Sequence, residues 1–335
     1  MDTLFDTSGE SLPAHVTHDT PFHIAFGVDA PYIRYMAVTM TSVLENNPDI
    51  RFVFHVFAFE VSDDHRSRLR QLEARYAVSI QFHVVDPAVF REFGNFSTFS
   101  QYSPAIFTRL LIPKALKGIT DTVLYMDADI LCVGSIAALR SIDMRKQIVA
   151  AVTDHAETTV RNQVAALNLR HRRYFNSGVL YMNVDHWIEN GITEQVMRVI
   201  LEGDKKLALP DQDALNVVLD GRALFIDEKW NFRYNLEAVL KDGNMRMGPK
   251  GEGIFLHFTG RVKPWHDWSL HESTALFLKY QSLSPWAHAP LDAPKNYKEM
   301  RMFSQFLRKQ GRLLDATKWY ARYLSRKLFA RRSGH

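Results

Sequence analysis

Short apolar runs rich in β-branched and aromatic residues alternate along this chain with stretches of helical spacing. Residues 23–29 (HIAFGVD) read as a strand ending in an acid, and residues 35–45 as a helix that stops at Asn46-Asn47-Pro48. Further strands are expected over 51–59 and 78–85. Between them Ser62 reads as the N-cap, with Asp63 and Asp64 behind it, of a charged helix running to Tyr76. A helix near 105–116 leads into a strand over 122–127, and later strands are expected over 148–153, 178–183, 223–226 and 253–258.

Strands spaced by helices of this length predict an α/β domain built on a mainly parallel sheet. In such sheets the ligand crevice lies beyond the carboxyl ends of the strands. Asp29, Asp127, Asp154 and His257 all fall at or near expected strand ends. There is no internal repeat and no low-complexity linker. Composition shifts once, after about Pro285, where Pro290 and Pro294 precede a basic tail.

Composition changes this picture little. The chain has 335 residues, 46% hydrophobic and 23% charged, enough for one large domain or one domain with an appendage. Its single cysteine, Cys132, can form no internal disulfide, so nothing points to an oxidising compartment. The first twenty residues have no apolar run with a basic flank, and no stretch approaches the roughly 20 apolar residues of a membrane span. The expectation is a soluble cytosolic protein.

Charge matters more. The net charge of +4 is unevenly spread: residues 296–335 hold eleven Lys/Arg against Glu299 and Asp315, a net of +9. The rest of the chain keeps 30 basic and 35 acidic residues and is net −5. The basicity therefore belongs to the tail, and the tail needs a partner of its own.

The sharpest chemical signal is Leu124-Tyr-Met-Asp127-Ala-Asp129-Ile-Leu. Two carboxylates at i and i+2 on an extended segment project to one side. Such hard oxygen ligands suit Mn²⁺ or Mg²⁺ held against a diphosphate. A solvated turn is the bland alternative, disfavoured by the four apolar residues on either side. His257, after the apolar run Ile254-Phe-Leu, reads either as a satisfied core histidine or as a metal ligand. Gly260 would allow close backbone approach to a phosphate and Lys263 would supply a positive charge, while His266 reads as a residue behind the site or on the surface. Asn176 stands at the head of a strand. Asp211, Gln212 and Asp213 stand at a helix start, where capping by Asp211 accounts for one carboxylate but not for the cluster.

Taken in order, GVD, YMDADI, YFNSGVLYMN, PDQDALN and HFTGRVKPWH resemble the motifs of family-eight retaining glycosyltransferases of the GT-A fold. Within that family the chain is similar to the bacterial lipopolysaccharide core α-glucosyl- and α-galactosyltransferases, from about Phe22 to Trp286. The resemblance implies a Rossmann-like, mixed but mainly parallel sheet flanked by helices. The expected division is a flexible N-terminal extension (1–21), a catalytic domain (22–270) and a helical region with a basic tail (271–335).

It also implies roles. Asp127, Asp129 and His257 would bind Mn²⁺ or Mg²⁺ bridging the donor's phosphates. Gly27, Asp29 and Tyr32 would sit around uracil and ribose, with Asp127 also at the donor, and Gly260 and Lys263 would hold the diphosphate. Arg109, Asp154, Asn176, Asp211 and Gln212 would surround the sugar. The chain departs from its relatives at Pro31, where they usually carry Asn, which removes one polar contact to the nucleotide. The implied reaction transfers glucose or galactose from its UDP-sugar to the lipopolysaccharide core with retention. Gln212 is a poor nucleophile and Asp211 the only carboxylate placed for that role, so front-face attack is expected.

Other classes fit less well. Asp127-Ala-Asp129 also resembles the nucleophile motif of haloacid-dehalogenase-like phosphatases, but that motif opens the first strand of its domain and precedes a small polar residue. An inactive scaffold is disfavoured because the metal and diphosphate positions are intact. No acceptor tyrosine singles out a self-glucosylating primer, and no G-x-G-x-x-G follows the first strand as a nicotinamide enzyme requires. In the tail, Leu313, Tyr320, Leu324 and Leu328 fall on one side of a helix and Lys318, Arg322 and Arg326 on the other, with Trp319 and Tyr323 at the flanks. Such a basic amphipathic helix predicts peripheral binding to the cytosolic surface of the inner membrane. A helix packed on the domain is the alternative. The acidic body argues against nucleic acid.

Overall fold

The expected alternation becomes one large sheet with a small sheet beside it. The computed structural model describes residues 5–6, 20–93, 103–154, 157–202, 207–247 and 253–332. Their strands are β1 (Phe5–Asp6), β2 (Phe22–Gly27), β3 (Phe52–Ala58), β4 (Ser79–Val85), β5 (Thr122–Met126), β6 (Ile130–Cys132), β7 (Val149–Thr153), β8 (Phe175–Asn183), β9 (Ala223–Ile226), β10 (Phe232–Arg233) and β11 (Phe255–His257). The large sheet has the order β1-β4-β3-β2-β5-β8-β7-β9, and the small one β10-β11-β6.

In the large sheet β8 and β1 run against the other strands. The chain steps outward from β2 through β3 to β4, then returns to lay β5 on the other side of β2. At such a reversal the chain leaves the ends of β2 and β5 on diverging paths, here into a helix after β2 and into β6 after β5, and a crevice opens beyond the strands' carboxyl ends. Asp29 follows β2 and Asp127 follows β5 at that crevice.

The helix Ile33–Asn46 is buried at Ile33 and from Tyr35 to Leu44, its threonines and serine included, as a helix enclosed by other elements must be. Its polar side chains clamp the segment after β5: Thr39 Oγ1 donates to Ala128 O (3.1 Å), and Ser42 Oγ accepts from Cys132 N–H (2.9 Å). The helix Asp63–Tyr76 starts as expected, with Ser62 Oγ accepting from His65 N–H. Two apolar clusters cover the faces of the large sheet. A third fills the space between Tyr35, β11 and the C-terminal helices.

Two expectations change. Residues 105–116 do not form one helix: a 3₁₀ turn, Pro104–Leu110, gives way to a short helix, Ile112–Ala115. Pro113 has no N–H to donate to residue 109, so a continuous α-helix cannot pass it. At the C-terminus the tail is one arm of a hairpin. Tyr297–Lys309 and Leu313–Arg332 turn at Gly311 (φ +76°), and Ser304 Oγ donates across to Ala316 O (2.8 Å). Tyr323, expected at a flank, is buried in this hairpin, while Trp319 packs on Phe303. Of the N-terminal extension, Phe5 and Asp6 pair antiparallel with β4.

Candidate active site

Strand pairing brings the acids and the histidine together. After Met126 the chain crosses from the large sheet to the small one through Asp127-Ala128-Asp129, and β6 begins at Ile130. The crossing is pinned at both ends, by Asp127 N–H donating to Gly178 O (2.9 Å) and by Phe258 N–H donating to Asp129 O (3.0 Å). β11 runs antiparallel to β6 with His257 opposite Ile130, so the imidazole arrives beside Asp129. One ligand atom each from Asp127, Asp129 and His257 lies within 4.8 Å of the other two.

Each carboxylate commits one oxygen to a protein cation. Asp127 Oδ1 takes Arg109 Nη2 (3.2 Å) and the Tyr125 hydroxyl, and Asp129 Oδ2 takes Lys263 Nζ (2.5 Å). The other oxygens, Asp127 Oδ2 and Asp129 Oδ1, face His257 Nε2 at 3.8 and 3.2 Å. Asp129 Oδ1 is buried and accepts no hydrogen bond. A buried carboxylate oxygen without a donor is costly, and a cation would remove that cost. Two carboxylate oxygens and one imidazole nitrogen suit Mn²⁺, with Mg²⁺ the harder alternative, so these residues fit such an ion. Gly178 makes the approach possible. A Cβ there would lie 2.3 Å from His257 Cε1 and 2.8 Å from Asp127 Oδ2.

The surrounding charges are set by proximity. Burial pushes the Asp129 carboxyl up, but the Lys263 ammonium bonded to it outweighs burial and holds it below the usual range. Lys263 also donates to Phe258 O (2.6 Å), so the expected phosphate-facing cation is itself a buried partner of Asp129. His266 braces its turn, with Nδ1 accepting from Lys263 N–H (3.2 Å), and burial lowers its pKa to about 4.

The second cluster lies at the head of β8. Arg109 is buried over the Tyr125 ring and ties the two clusters together, with Nη1 3.2 Å from Asp211 Oδ2 and donating to Ser177 O (2.7 Å). Ser177 Oγ donates to Asp211 Oδ2 (3.1 Å). Gln212 Oε1 accepts from Asn176 Nδ2 (3.0 Å) and Ser177 N–H (3.1 Å), and its Nε2 donates to Asp154 Oδ2 (3.3 Å). Asp154 is also paired with Arg233.

Asp211 does not cap the helix Pro210–Val218, contrary to the capping account. Pro210 occupies its first turn and Leu209 the cap position. Asp213 Oδ2, not Asp211, accepts from the N–H groups of Ala208 and Leu209 (2.7 and 3.0 Å). With Asp213 serving those amides, Asp211 is free to turn toward Arg109.

On the β2 side, Asp29 Oδ1 accepts from Ser103 Oγ (2.7 Å), which ties the end of β2 to the turn that carries Arg109. Gly27 lets that turn close on the strand, since a Cβ there would lie 2.1 Å from Thr108 Oγ1. Tyr32 is 40% exposed and stands edge-on to Tyr35 and Trp265, an aromatic surface at the rim. Burial and then the charges of Asp129 and Asp29 push its hydroxyl up to about 12. Gly260, at φ +84°, forms the turn between His257 and Lys263. Pro31 lies within the 3₁₀ turn Ala30–Tyr32.

Residues 23–269 match Glycosyl transferase family 8, and residues 272–327 match Glycosyl transferase family 8 C-terminal. The chain belongs to glycosyl transferase family 8. Among family-8 relatives it is 30% identical over 312 residues to "Lipopolysaccharide 1,3-galactosyltransferase" of Salmonella typhimurium, covering 92% of this chain and 91% of that protein. It is 28% identical over 312 residues to "Lipopolysaccharide 1,2-glucosyltransferase" of Escherichia coli, with 91% of each covered. The galactosyltransferase LgtC, solved with donor and acceptor sugar analogues, shares the fold at a TM-score of 0.67 and 23% identity, over 83% of this chain and 99% of that one. The GT-A architecture expected of the family is therefore present.

Most of these residues lie in the runs on which the resemblance rests and are legible in the sequence. Ser177, Asn231 and Arg233 are the exceptions. Ser177 sits unremarked inside the FNSG run, while Asn231 and Arg233 carry no local signal and matter only through the small sheet. A surface depression of about 290 Å³ near His171, Arg173 and Phe225 includes none of the acid–histidine cluster. No helix among the described residues is long and apolar enough to cross a membrane.

Proposed function

We propose that this family-8 enzyme is a metal-dependent retaining hexosyltransferase that moves glucose or galactose from its UDP-sugar to a sugar of the lipopolysaccharide core. The observation that carries the reading is the convergence of Asp127 Oδ2, Asp129 Oδ1 and His257 Nε2, each turned away from the groups that hold the rest of its side chain. The lipopolysaccharide hexosyltransferases it resembles support the acceptor class.

In this reading Gly27, Asp29 and Tyr32 border the nucleotide, with the exposed Tyr32 ring available to stack on uracil. Asp127, Asp129 and His257 hold Mn²⁺ or Mg²⁺, which when bound offsets the negative charge that develops on the departing diphosphate. Gly260 and Lys263 border the same phosphates, and Lys263 also fixes Asp129. Arg109 holds Asp127 and Asp211 in register, and Asp154, Asn176, Asp211 and Gln212 line the sugar. Asp211 Oδ2 is engaged by Arg109 and Ser177, so the lone pairs a nucleophile would use are already committed to donors. That supports front-face attack, in which the leaving phosphate oxygen takes the acceptor's proton. A panel of UDP-sugars with truncated lipopolysaccharide acceptors tests the reading. Transfer from UDP-glucose or UDP-galactose with α-linked product is expected, and an absence of transfer from every UDP-sugar overturns it.

The tail supports work at a membrane surface on the cytosolic side. On Leu313–Arg332 the inward face is Ala316 and Tyr323, whereas Leu313, Tyr320, Leu324 and Leu328 are exposed beside the exposed Lys318, Arg322 and Arg326. Each cation near an anionic surface contributes on the order of 1 kcal/mol. Deleting residues 312–335 is expected to leave transfer to a delipidated acceptor intact and to release the folded protein from anionic vesicles. Co-sedimentation of the truncated protein at the full-length level contradicts this.

A further inference from the structure

Asn231 belongs to no motif, yet it is fully buried and its side chain bridges the two halves of the site. The direction of each hydrogen bond around it follows from main-chain amides, which can only donate. Gly178 N–H donates to Asn176 Oδ1 (3.0 Å), so the Asn176 amide turns Nδ2 toward Gln212 Oε1 (3.0 Å). Ser177 N–H reaches that same Gln212 oxygen (3.1 Å), so a second main-chain amide requires the same polarity. Asn176 Oδ1 being an acceptor, Asn231 meets it with Nδ2 (2.8 Å) and is left with Oδ1 facing His257 Nδ1 (2.8 Å). That ring nitrogen must carry the hydrogen. In the neutral imidazole that hydrogen leaves the lone pair on Nε2, toward Asp127 Oδ2 and Asp129 Oδ1, the arrangement a divalent cation requires of a histidine ligand.

We propose that Asn231 is the positioning residue of the metal site, holding His257 in the Nδ1–H tautomer and at the ring angle that makes Nε2 a ligand. The inference rests on the metal reading above. Partners of this kind behind a ligating histidine change metal affinity by roughly ten- to a hundredfold.

The test is Mn²⁺ titration of the wild-type chain, Asn231→Leu and Asn231→Asp in the presence of UDP, with free Mn²⁺ read by electron paramagnetic resonance and folding checked by circular dichroism. Asn231→Leu removes the acceptor facing Nδ1–H and is expected to weaken Mn²⁺ by about ten- to a hundredfold. Asn231→Asp keeps an acceptor oxygen facing Nδ1–H, replaces the donor to Asn176 by a second carboxylate oxygen, and is expected to bind Mn²⁺ as tightly as wild type or more tightly. A merely structural role would damage both variants alike, so equal loss in both overturns the proposal, as does wild-type affinity in Asn231→Leu. If the wild-type chain binds no Mn²⁺, the metal reading falls and takes this inference with it. Should Asn231→Leu not fold, the wild-type Mg²⁺–UDP complex decides through its ¹⁵N histidine spectrum. A proton on Nδ1 of His257 supports the assignment, and a proton on Nε2 refutes it.

Discussion

Two regions of this protein bury histidines equally well and use them differently. His23, His55 and His83 lie on β2, β3 and β4, each offset two residues from its neighbour's register, so they form a diagonal row on one face of the sheet. Their rings bond to one another, His23 Nδ1 to His55 Nε2 at 2.9 Å and His55 Nδ1 to His83 Nε2 at 3.0 Å. Burial lowers their pKa values to about 4, about 2 and about 4, with the neighbouring rings adding to the effect at His55. His257 is as deeply buried, but it faces two carboxylates and is backed by an amide. Burial alone therefore does not decide what a histidine presents to its surroundings. In the row ring nitrogens meet each other, whereas at His257 one nitrogen is satisfied and the other is presented to paired acids.

That contrast can be broken most sharply at Lys263. Lys263→Met removes the cation that holds Asp129 Oδ2 and is expected to lower transfer by about a hundredfold and to weaken UDP binding with it. The comparison is made where circular dichroism shows both proteins folded, because breaking a buried ion pair also destabilises. Unchanged UDP affinity by calorimetry would remove Lys263 from the donor site.

The histidine row should instead speak through stability. Its folded pKa values lie below the unfolded value of 6.5, so its contribution is complete above pH 6.5 and is lost as pH falls toward 4. At pH 5 the loss is about 1–2 kcal/mol per histidine. Urea unfolding midpoints should fall across that window, and His55→Asn, less stable at pH 7, should show a shallower acid limb. An acid limb identical to wild type would mean the row does not titrate with unfolding. The smallest effect is expected from Arg233→Lys, which keeps the charge beside Asp154 but loses the guanidinium fork. We expect kcat to drop about threefold to tenfold with UDP affinity unchanged, as measured by steady-state kinetics and calorimetry.

Much of this site is legible in the amino-acid sequence because its parts sit in local runs. Asp127 and Asp129 follow an apolar strand, and His257 ends another. What stays hidden depends on pieces that are distant along the chain. The small sheet leaves no periodic trace because β6 and β10 are only three and two residues long. With it go Asn231 and Arg233, whose partners His257, Asn176 and Asp154 are 26, 55 and 79 residues away. The capping account of Asp211 fails because sequence shows which residue types stand at a helix start, not which carboxylate turns back to the amides before it; here that is Asp213. The tail shows the opposite case: helical spacing alone separates Leu313, Tyr320, Leu324 and Leu328 from the basic face, and all four are exposed.

The central claim is that Asp127, Asp129 and His257 hold a divalent cation on which transfer depends. The most direct measurement is transfer from the accepted UDP-sugar in chelator, then after addition of Mn²⁺, for the wild-type chain and for Asp129→Asn. Chelator should abolish wild-type transfer and Mn²⁺ restore it, whereas Asp129→Asn should remain about a thousandfold slower with Mn²⁺ present. Full wild-type activity in chelator, or an Asp129→Asn enzyme as fast as wild type, would contradict the account.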